Sequence, residues 1–337
     1  MGCAGSSGTQ DKNLSENYIL AEISIIEDIL EEEQIIYNAV NNVQHEGEDE
    51  DVNREVRECE IKINDEIVPF DQDYQFPKVG LYKIKYTFKS PLTDASSLFF
   101  YCQRLKKVDL SHFQGQKLKS VREMFNGCEL MESINLSNLN LQNVTDMRNM
   151  FSGCRSLKSI DLSNLKANKV ENISGLLSNC SSLENINLTN FNTENVTDMS
   201  SLFSFSYSLK NIDLSNFNTR NVTNMNNMFN QCSNLQKINL SNFNTAKVTD
   251  MSNMFTQCTS LKEIDLSNFN TQNVENMSFM FSECEELIKV NLSNFNISKA
   301  DINAMFYLCK KLKKEGIITK EKKIKEQYEK DLNEDNE

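Results

Sequence analysis

Residues 188–213 read LTNFNTENVTDMSSLFSFSYSLKNID, and the leucine that opens this run also stands at Leu110, Leu136, Leu162, Leu214, Leu240, Leu266 and Leu292. The period is 26 residues throughout. Each leucine opens one apolar register, here Leu188, Phe191, Val196, Met199, Leu202, Phe203, Leu209 and Ile212. A cysteine completes it at Cys128, Cys154, Cys180, Cys232, Cys258 and Cys284, with Ser206 as the one break. Burying so few side chains does not offset the entropy of ordering a whole unit, so one unit cannot fold alone. Stacked units bury each other's apolar edges, and the period reads as a solenoid with a continuous core.

Within a unit, Leu209, Ile212 and Leu214 have the spacing of a short strand whose alternate residues face inward. The strand reads as one rung of a parallel sheet. Asn216 to Thr219 is a turn cluster, after which Val222, Met225, Met228 and Phe229 follow at helical spacing, with Asn221 or Thr223 placed to cap. The fold expected is therefore an α/β repeat solenoid of the leucine-rich-repeat kind, with one short parallel strand and one short helix per coil.

The runs NVTDMRNMFSGCRSLKSIDLSN (143–164) and KVTDMSNMFTQCTSLKEIDLSNFNT (247–271) resemble the BspA-type leucine-rich repeats of bacterial surface proteins and of expanded protist families. The likeness covers about two thirds of the chain. It implies a binding or adhesive role and no defined reaction.

Of 337 residues, 39% are hydrophobic and 25% charged, enough for one elongated repeat domain and a small appendage. The net charge of −13 is uneven: residues 1–60 hold 16 acids and 3 bases, and the other 32 acids and 32 bases cancel. A neutral solenoid without a basic stripe argues against a nucleic-acid groove. Apolar runs such as Leu98 to Cys102 are far shorter than the ~20 residues of a membrane span. Seven of the ten cysteines share one register, Cys102 included, and among Leu, Met and Phe neighbours they read as buried free thiols. No C-x-x-C pair occurs, so no zinc site is expected, nor any other cofactor.

The N-terminus, Met1-Gly2-Cys3-Ala4-Gly5-Ser6, matches the signal for myristoylation of Gly2, with Cys3 a palmitoylation candidate beside it. No basic and apolar secretory pattern precedes Asp11, so the expected location is the cytoplasmic side of a membrane, held by lipid. The alternative is a cell-surface adhesin, in which Asn143-Val-Thr145, Asn195-Val-Thr197 and Asn221-Val-Thr223 would be glycosylation sequons. Residues 1–16 read as the acylated leader and 17–92 as an acidic β cap. Residues 93–312 form the solenoid and 313–337 a charged closing helix striped by Ile324, Tyr328 and Leu332.

Inside the cap, Ile19, Ile23, Ile26, Leu30 and Tyr37 fit a helical stripe while Ile19, Ala21, Ile23 and Ile25 alternate as a strand, and the strand is preferred. His45 to Asp51 reads as a solvated acidic linker. Asn64-Asp65 is a hairpin turn between Cys59–Ile63 and Glu66–Phe70. Tyr82, Ile84, Tyr86 and Phe88 alternate with Lys83, Lys85 and Thr87. Ile84 lies 26 residues before Leu110, which puts this strand in register with the repeats.

Outward strand positions are the natural binding surface. Asp109, Asn135, Asp161, Asn187, Asp213, Asn239, Asp265 and Asn291 alternate acid with amide, which separates like charges along the sheet. A similar alternation runs through Asp146, Asn172, Asp198, Asn224, Asp250 and Asn276. Lys158, Glu184, Lys210 and Lys262 share a further column with Lys106 and Glu132. So mixed a surface suits a protein partner rather than a small-molecule substrate. Neither His45 nor His112 has a sequence context that suggests a nucleophile paired with a base, and enzymatic activity is not expected.

Overall fold

The computed structural model describes residues 17–27, 30, 32, 34–36, 56, 58–69 and 73–334. Eight strands recur at the repeat spacing: β7 (Leu105–Asp109), β8 (Ser133–Asn135), β9 (Ser159–Asp161), β10 (Asn185–Asn187), β11 (Asn211–Asp213), β12 (Lys237–Asn239), β13 (Glu263–Asp265) and β14 (Lys289–Asn291). They are the rungs of a β-solenoid whose opposite wall is a second ladder. Single parallel bridges run there from Asp94 through Ser120, Asp146, Asn172, Asp198, Asn224, Asp250 and Asn276 to Asp301. Between the two walls lie the apolar columns, including Val222, Met225, Met228, Phe229, Cys232 and Leu235 of one coil, all fully buried.

The coils of residues 93–312 contain no α-helix, which corrects the expected helix per coil. The segment from Val222 to Cys232 is a run of tight turns. Met228, Asn230 and Cys232 donate N–H to the carbonyl three residues back, while Met225, Asn227, Phe229 and Gln231 donate to Asp250, Ser252, Met254 and Thr256 of the next coil. Beyond its first turn a helix keeps its N–H groups within the segment, and so short a helix is unstable in water. Here half the donors bind the neighbouring coil, and left-handed residues at Asn227 (φ 55°) and Gln231 (φ 60°) stop helical propagation. The true spacing is three residues per turn, which four positions do not separate from 3.6.

Phenylalanine stacks from coil to coil through this core. Phe203, Phe229, Phe255, Phe281 and Phe306 form one ladder with centroids 5.5–5.8 Å apart, and Phe99, Phe125 and Phe151 another. Leu177 occupies the place between them. A tyrosine ends the run edge-on at each extremity: Tyr86 on Phe99 and Tyr328 on Phe306. Each of these hydroxyls donates to a backbone carbonyl, Ile36 and Leu312 respectively. The last coil is one residue short, with Phe306 and Cys309 each 25 residues after Phe281 and Cys284, yet it keeps the phenylalanine and cysteine columns, since Phe306 stacks on Phe281 and Cys309 donates to Phe281 O at 3.0 Å.

The cap contains β1 (Asn17–Ile25), β2 (Gln34–Ile35), β3 (Glu60–Ile63), β4 (Glu66–Val68), β5 (Asp73–Tyr74) and β6 (Gly80–Phe88). A six-stranded sheet runs β4-β3-β6-β1-β7-β8. Ile19, Ala21, Ile23 and Ile25 of β1 are buried on one face, and Asn64 (φ 48°) with Asp65 (φ 70°) makes the two-residue turn between β3 and β4. The inference that Ile84 is in register with the repeats is corrected. Strand β1 lies between β6 and β7, antiparallel to both, and Ile84 pairs with Ala21. An inserted antiparallel strand lets the cap bind the first rung without itself being a coil. Asn17 clamps the junction by donating to Ser90 O and accepting from Gln114 N–H. Tyr37, His45 to Asp51 and Phe70 lie outside the described residues, as does the leader.

At the other end β15 (Ile317–Ile318) pairs with β14, and helix α1 (Lys322–Glu334) covers the last coil. Ile324 and Tyr328 are buried, but Leu332 is 38% exposed, so the expected apolar stripe is cut short. Asp331 turns inward instead, 1% exposed. Its carboxylate accepts the N–H of Phe306, which has no further coil to receive it, and the side chain of Gln327.

Candidate functional site

The sequence-read column of Asp109, Asn135, Asp161, Asn187, Asp213, Asn239, Asp265 and Asn291 ends the eight rungs on the outward face, as β8 to β14 place it. Each side-chain oxygen accepts the N–H two residues on, from Ser111, Ser137, Ser163, Thr189, Ser215, Ser241, Ser267 and Ser293, at 2.8–3.2 Å. The column therefore has a structural task, since it turns the chain off each strand. These bonds hold the carboxyls of Asp161, Asp213 and Asp265 below the ordinary range, with Ser163, Ser215 and Ser267 as the main donors. The column at Asp146, Asn172, Asp198, Asn224, Asp250 and Asn276 does the same on the opposite wall, where it carries the bridge ladder and is half-buried.

The rungs associate in pairs. Strands join as Asp109–Asn135, Asp161–Asn187, Asp213–Asn239 and Asp265–Asn291, each acid opposite an amide. Asn135 donates to Asp109 at 3.0 Å. Ladders stop between β8 and β9, β10 and β11, and β12 and β13, so the sheet is divided two rungs at a time. The inward isoleucines register this: Ile160, Ile212 and Ile264 are buried, and Ile134, Ile186 and Ile238 only partly so.

Lys158, Glu184, Lys210 and Lys262 stand exposed along the same face. Lys106 and Glu132 in that column are 3.2 Å apart across neighbouring coils. A shallow depression of about 360 Å³ crosses β9, β10 and β11 over Asp161, Glu184, Asn187 and Asp213. A larger one, about 630 Å³, lies over the six-stranded sheet where cap and solenoid meet. Leu20, Lys62, Lys83, Lys85 and Lys107 line it with Glu22, Asp65 and Asp109. Sequence reading placed Lys83 and Lys85 on one face but not beside the rungs, because that adjacency comes from the insertion of β1. Gly2 and Cys3 lie outside the described residues.

The fold and face define a leucine-rich-repeat-like solenoid. The chain belongs to the family described as "Mycoplasma protein of unknown function, DUF285", whose model matches residues 93–213 and again 204–320, about two thirds of the sequence. No curated protein matches the chain. Among solved structures it is similar, at 15% identity, to one titled "Crystal structure of TLR13-ssRNA13 complex". That match covers 68% of this chain and 42% of the other, with a TM-score of 0.24, too low for anything to be carried over. The chain spans less than half the length of that protein.

Proposed function

We propose that the chain is a non-enzymatic binding scaffold that presents its strand face to a protein ligand. It is tethered to the cytoplasmic face of a membrane by acylation at Gly2 and Cys3. The observation that carries the binding reading is the long outward face of rungs β7 to β14, whose mixed charges offer many weak polar contacts over a broad area. Repeat solenoids with such faces commonly bind extended partners. The anchor reading rests on the Met-Gly-Cys start. One myristoyl chain binds membranes only marginally, so Cys3 would supply the second signal.

The BspA-type resemblance favours a second reading, a surface adhesin. Glycosylation would then fall on Asn143, Asn195 and Asn221. Their amide nitrogens each donate, at 2.9 Å, to a carbonyl of the preceding coil, namely Gln116, Asn168 and Glu194. A sugar on that nitrogen would compete with the bond that ties the coils together, which weighs toward the cytoplasmic reading.

Proximity labelling in intact cells tests both parts. Charge reversal at Lys158, Lys210 and Lys262 should remove the neighbours that the native chain labels, while reversal at Lys117, off the strand face, should keep them. Gly2→Ala should release the protein from the membrane fraction, and Cys3→Ser should leave it mostly soluble. Neighbours indifferent to the strand-face changes would overturn the binding reading, and membrane retention of Gly2→Ala would overturn the anchor.

A further inference from the structure

We infer that the turn edge following β7, β8 and β9 lies against an anionic lipid surface. The inference rests on the anchor part of the proposed function and gives that anchor a second, folded contact. The edge holds a shallow depression of about 330 Å³ lined by Lys117, Lys119, Asn143, Thr145 and Lys169. The repeat assembles it: Lys117, Asn143 and Lys169 stand 26 residues apart, and Thr145 stands 26 after Lys119. The backbone N–H of Thr145 donates to Lys119 O at 2.9 Å, which fixes those two coils side by side. At the strand spacing of stacked coils, the two outer lysine columns are about 10 Å apart.

No carboxylate lines this depression. Lys169 donates to Asn143 Oδ1 at 2.8 Å, a neutral partner that leaves its charge in place. Lys117, Lys119 and Lys169 form no ion pair among the described residues. Over residues 114–120, 140–146 and 166–172 four lysines stand against two acids, Asp146 and Glu171. Arg148 already binds Asp146, at 2.6 Å, which leaves Glu171 alone against the lysines. Further along the same edge the sign reverses, with five acids and three bases over the corresponding positions from 192–198 to 296–301. The positive charge is therefore confined to the cap end.

That confinement selects among anions. A nucleic-acid strand draws on a basic stripe, and this one stops after three coils. A small anion needs donors that enclose it, whereas Lys117, Lys119, Thr145 and Lys169 are all exposed and Asn143 is half-buried. An anionic bilayer needs only a few exposed lysines held within a Debye length, about 8 Å, of its surface. A net charge of −13 repels such a surface in a random orientation, so this edge has to be presented to it. The attachment of the leader does that. Asn17, at which the leader joins the cap, accepts the N–H of Gln114 at 2.8 Å, three residues before Lys117. A lipid carried on Gly2 or Cys3 is thus tethered beside the lysines.

Sedimentation of the full chain with vesicles tests this. A single fourteen-carbon chain is coupled to Cys3 through a maleimide, the nine other cysteines being buried, so the result does not depend on whether cells acylate Gly2. Vesicles of phosphatidylcholine with about 30% phosphatidylserine should bind it at least about tenfold more tightly than phosphatidylcholine alone, and the gain should shrink as salt is raised. Lys117→Gln/Lys119→Gln/Lys169→Gln should bind both kinds of vesicle alike, with an unchanged urea midpoint showing that the coils are intact. Reversal to Glu at the same three positions should make the neutral vesicles the better target. Reversal at Lys313, Lys320 and Lys323, beyond the last coil, should keep the gain. In cells, a single change at Lys117 leaves a chain held by two acyl groups on the membrane, with its strand-face neighbours intact. No gain from phosphatidylserine, a gain that survives the glutamine changes, a gain lost equally with the distant lysines, or release by millimolar inorganic phosphate at constant ionic strength would overturn the inference. Membrane retention of Gly2→Ala in cells, beside an intact gain on vesicles, would count against the acyl anchor alone.

Discussion

Cys128, Cys154, Cys180, Cys232, Cys258 and Cys284 each donate through Sγ to the carbonyl of residue 99, 125, 151, 203, 229 or 255 in the preceding coil, at 3.1–3.3 Å. Ser206 makes the same bond to Leu177 O at 3.1 Å. The column was legible in the sequence as an apolar one, and on that reading Ser206 is a break. In the fold it is a column of small donors, in which a hydroxyl substitutes for a thiol without loss. Burial, the largest cause in each case, pushes the thiols of Cys180, Cys232 and Cys284 up to about 12, against an ordinary value of 9.0. A folded-state pKa raised in this way contributes stability that is complete below pH 9 and is lost as pH rises toward 12. Urea midpoints should therefore fall steeply above pH 9, and less so in Cys180→Ser/Cys232→Ser/Cys284→Ser, whose hydroxyls keep the donors and do not ionise. An equal fall in both proteins would show that the thiols are not responsible. Iodoacetamide near neutral pH should reach the column only after unfolding.

Elements were legible where one side chain reports one direction, and not where two periods overlap. The rungs follow from Leu209, Ile212 and Leu214, and β1 from the alternation of Ile19, Ala21, Ile23 and Ile25, which are buried. The turns after each rung look helical in sequence because Val222, Met225, Met228 and Phe229 satisfy a period of three as well as a helix. The competing signal lay in the polar residues between them, where Asn227 and Gln231 hold the left-handed positions. Helix α1 is legible in sequence, but not what it does, because the informative residue, Asp331, is a charged one on its buried face. Asp331→Ala should leave the N–H of Phe306 without its carboxylate acceptor, at a cost of about 1–3 kcal/mol. Leu332→Ala should cost well under half as much. Hydrogen exchange at Phe306 gives the local readout: it should accelerate in the Asp331 variant alone, and equal protection in both would show that the carboxylate does not seal the last coil.

At the scale of the whole molecule the repeat is two coils, not one. The alternation of acid and amide is plain in the sequence, yet the division of the sheet two rungs at a time is not, because it depends on which neighbour each strand bonds. The candidate face was legible to the same degree: its columns are where the period places them, while the depression at the cap depends on a strand distant in sequence. Deleting residues 214–239 removes one coil and sets Asp213 beside Asp265. Deleting 214–265 removes two and sets Asp213 beside Asn291. The shorter deletion should be the more damaging at neutral pH despite the smaller loss, with the difference narrowing in acid as the carboxyls protonate. Thermal midpoints across that range decide it, and a shorter deletion that is the more stable at every pH would refute the pairing rule. If the rule holds, it is also a rule of descent. Unequal crossing-over that adds or drops an odd number of coils sets like beside like, which is acid on acid when an amide coil is lost or an acid coil doubled, whereas an even number leaves every neighbour as it was, so lineages that lengthen or shorten this protein should favour steps of 52 residues, twice the period of the leucines.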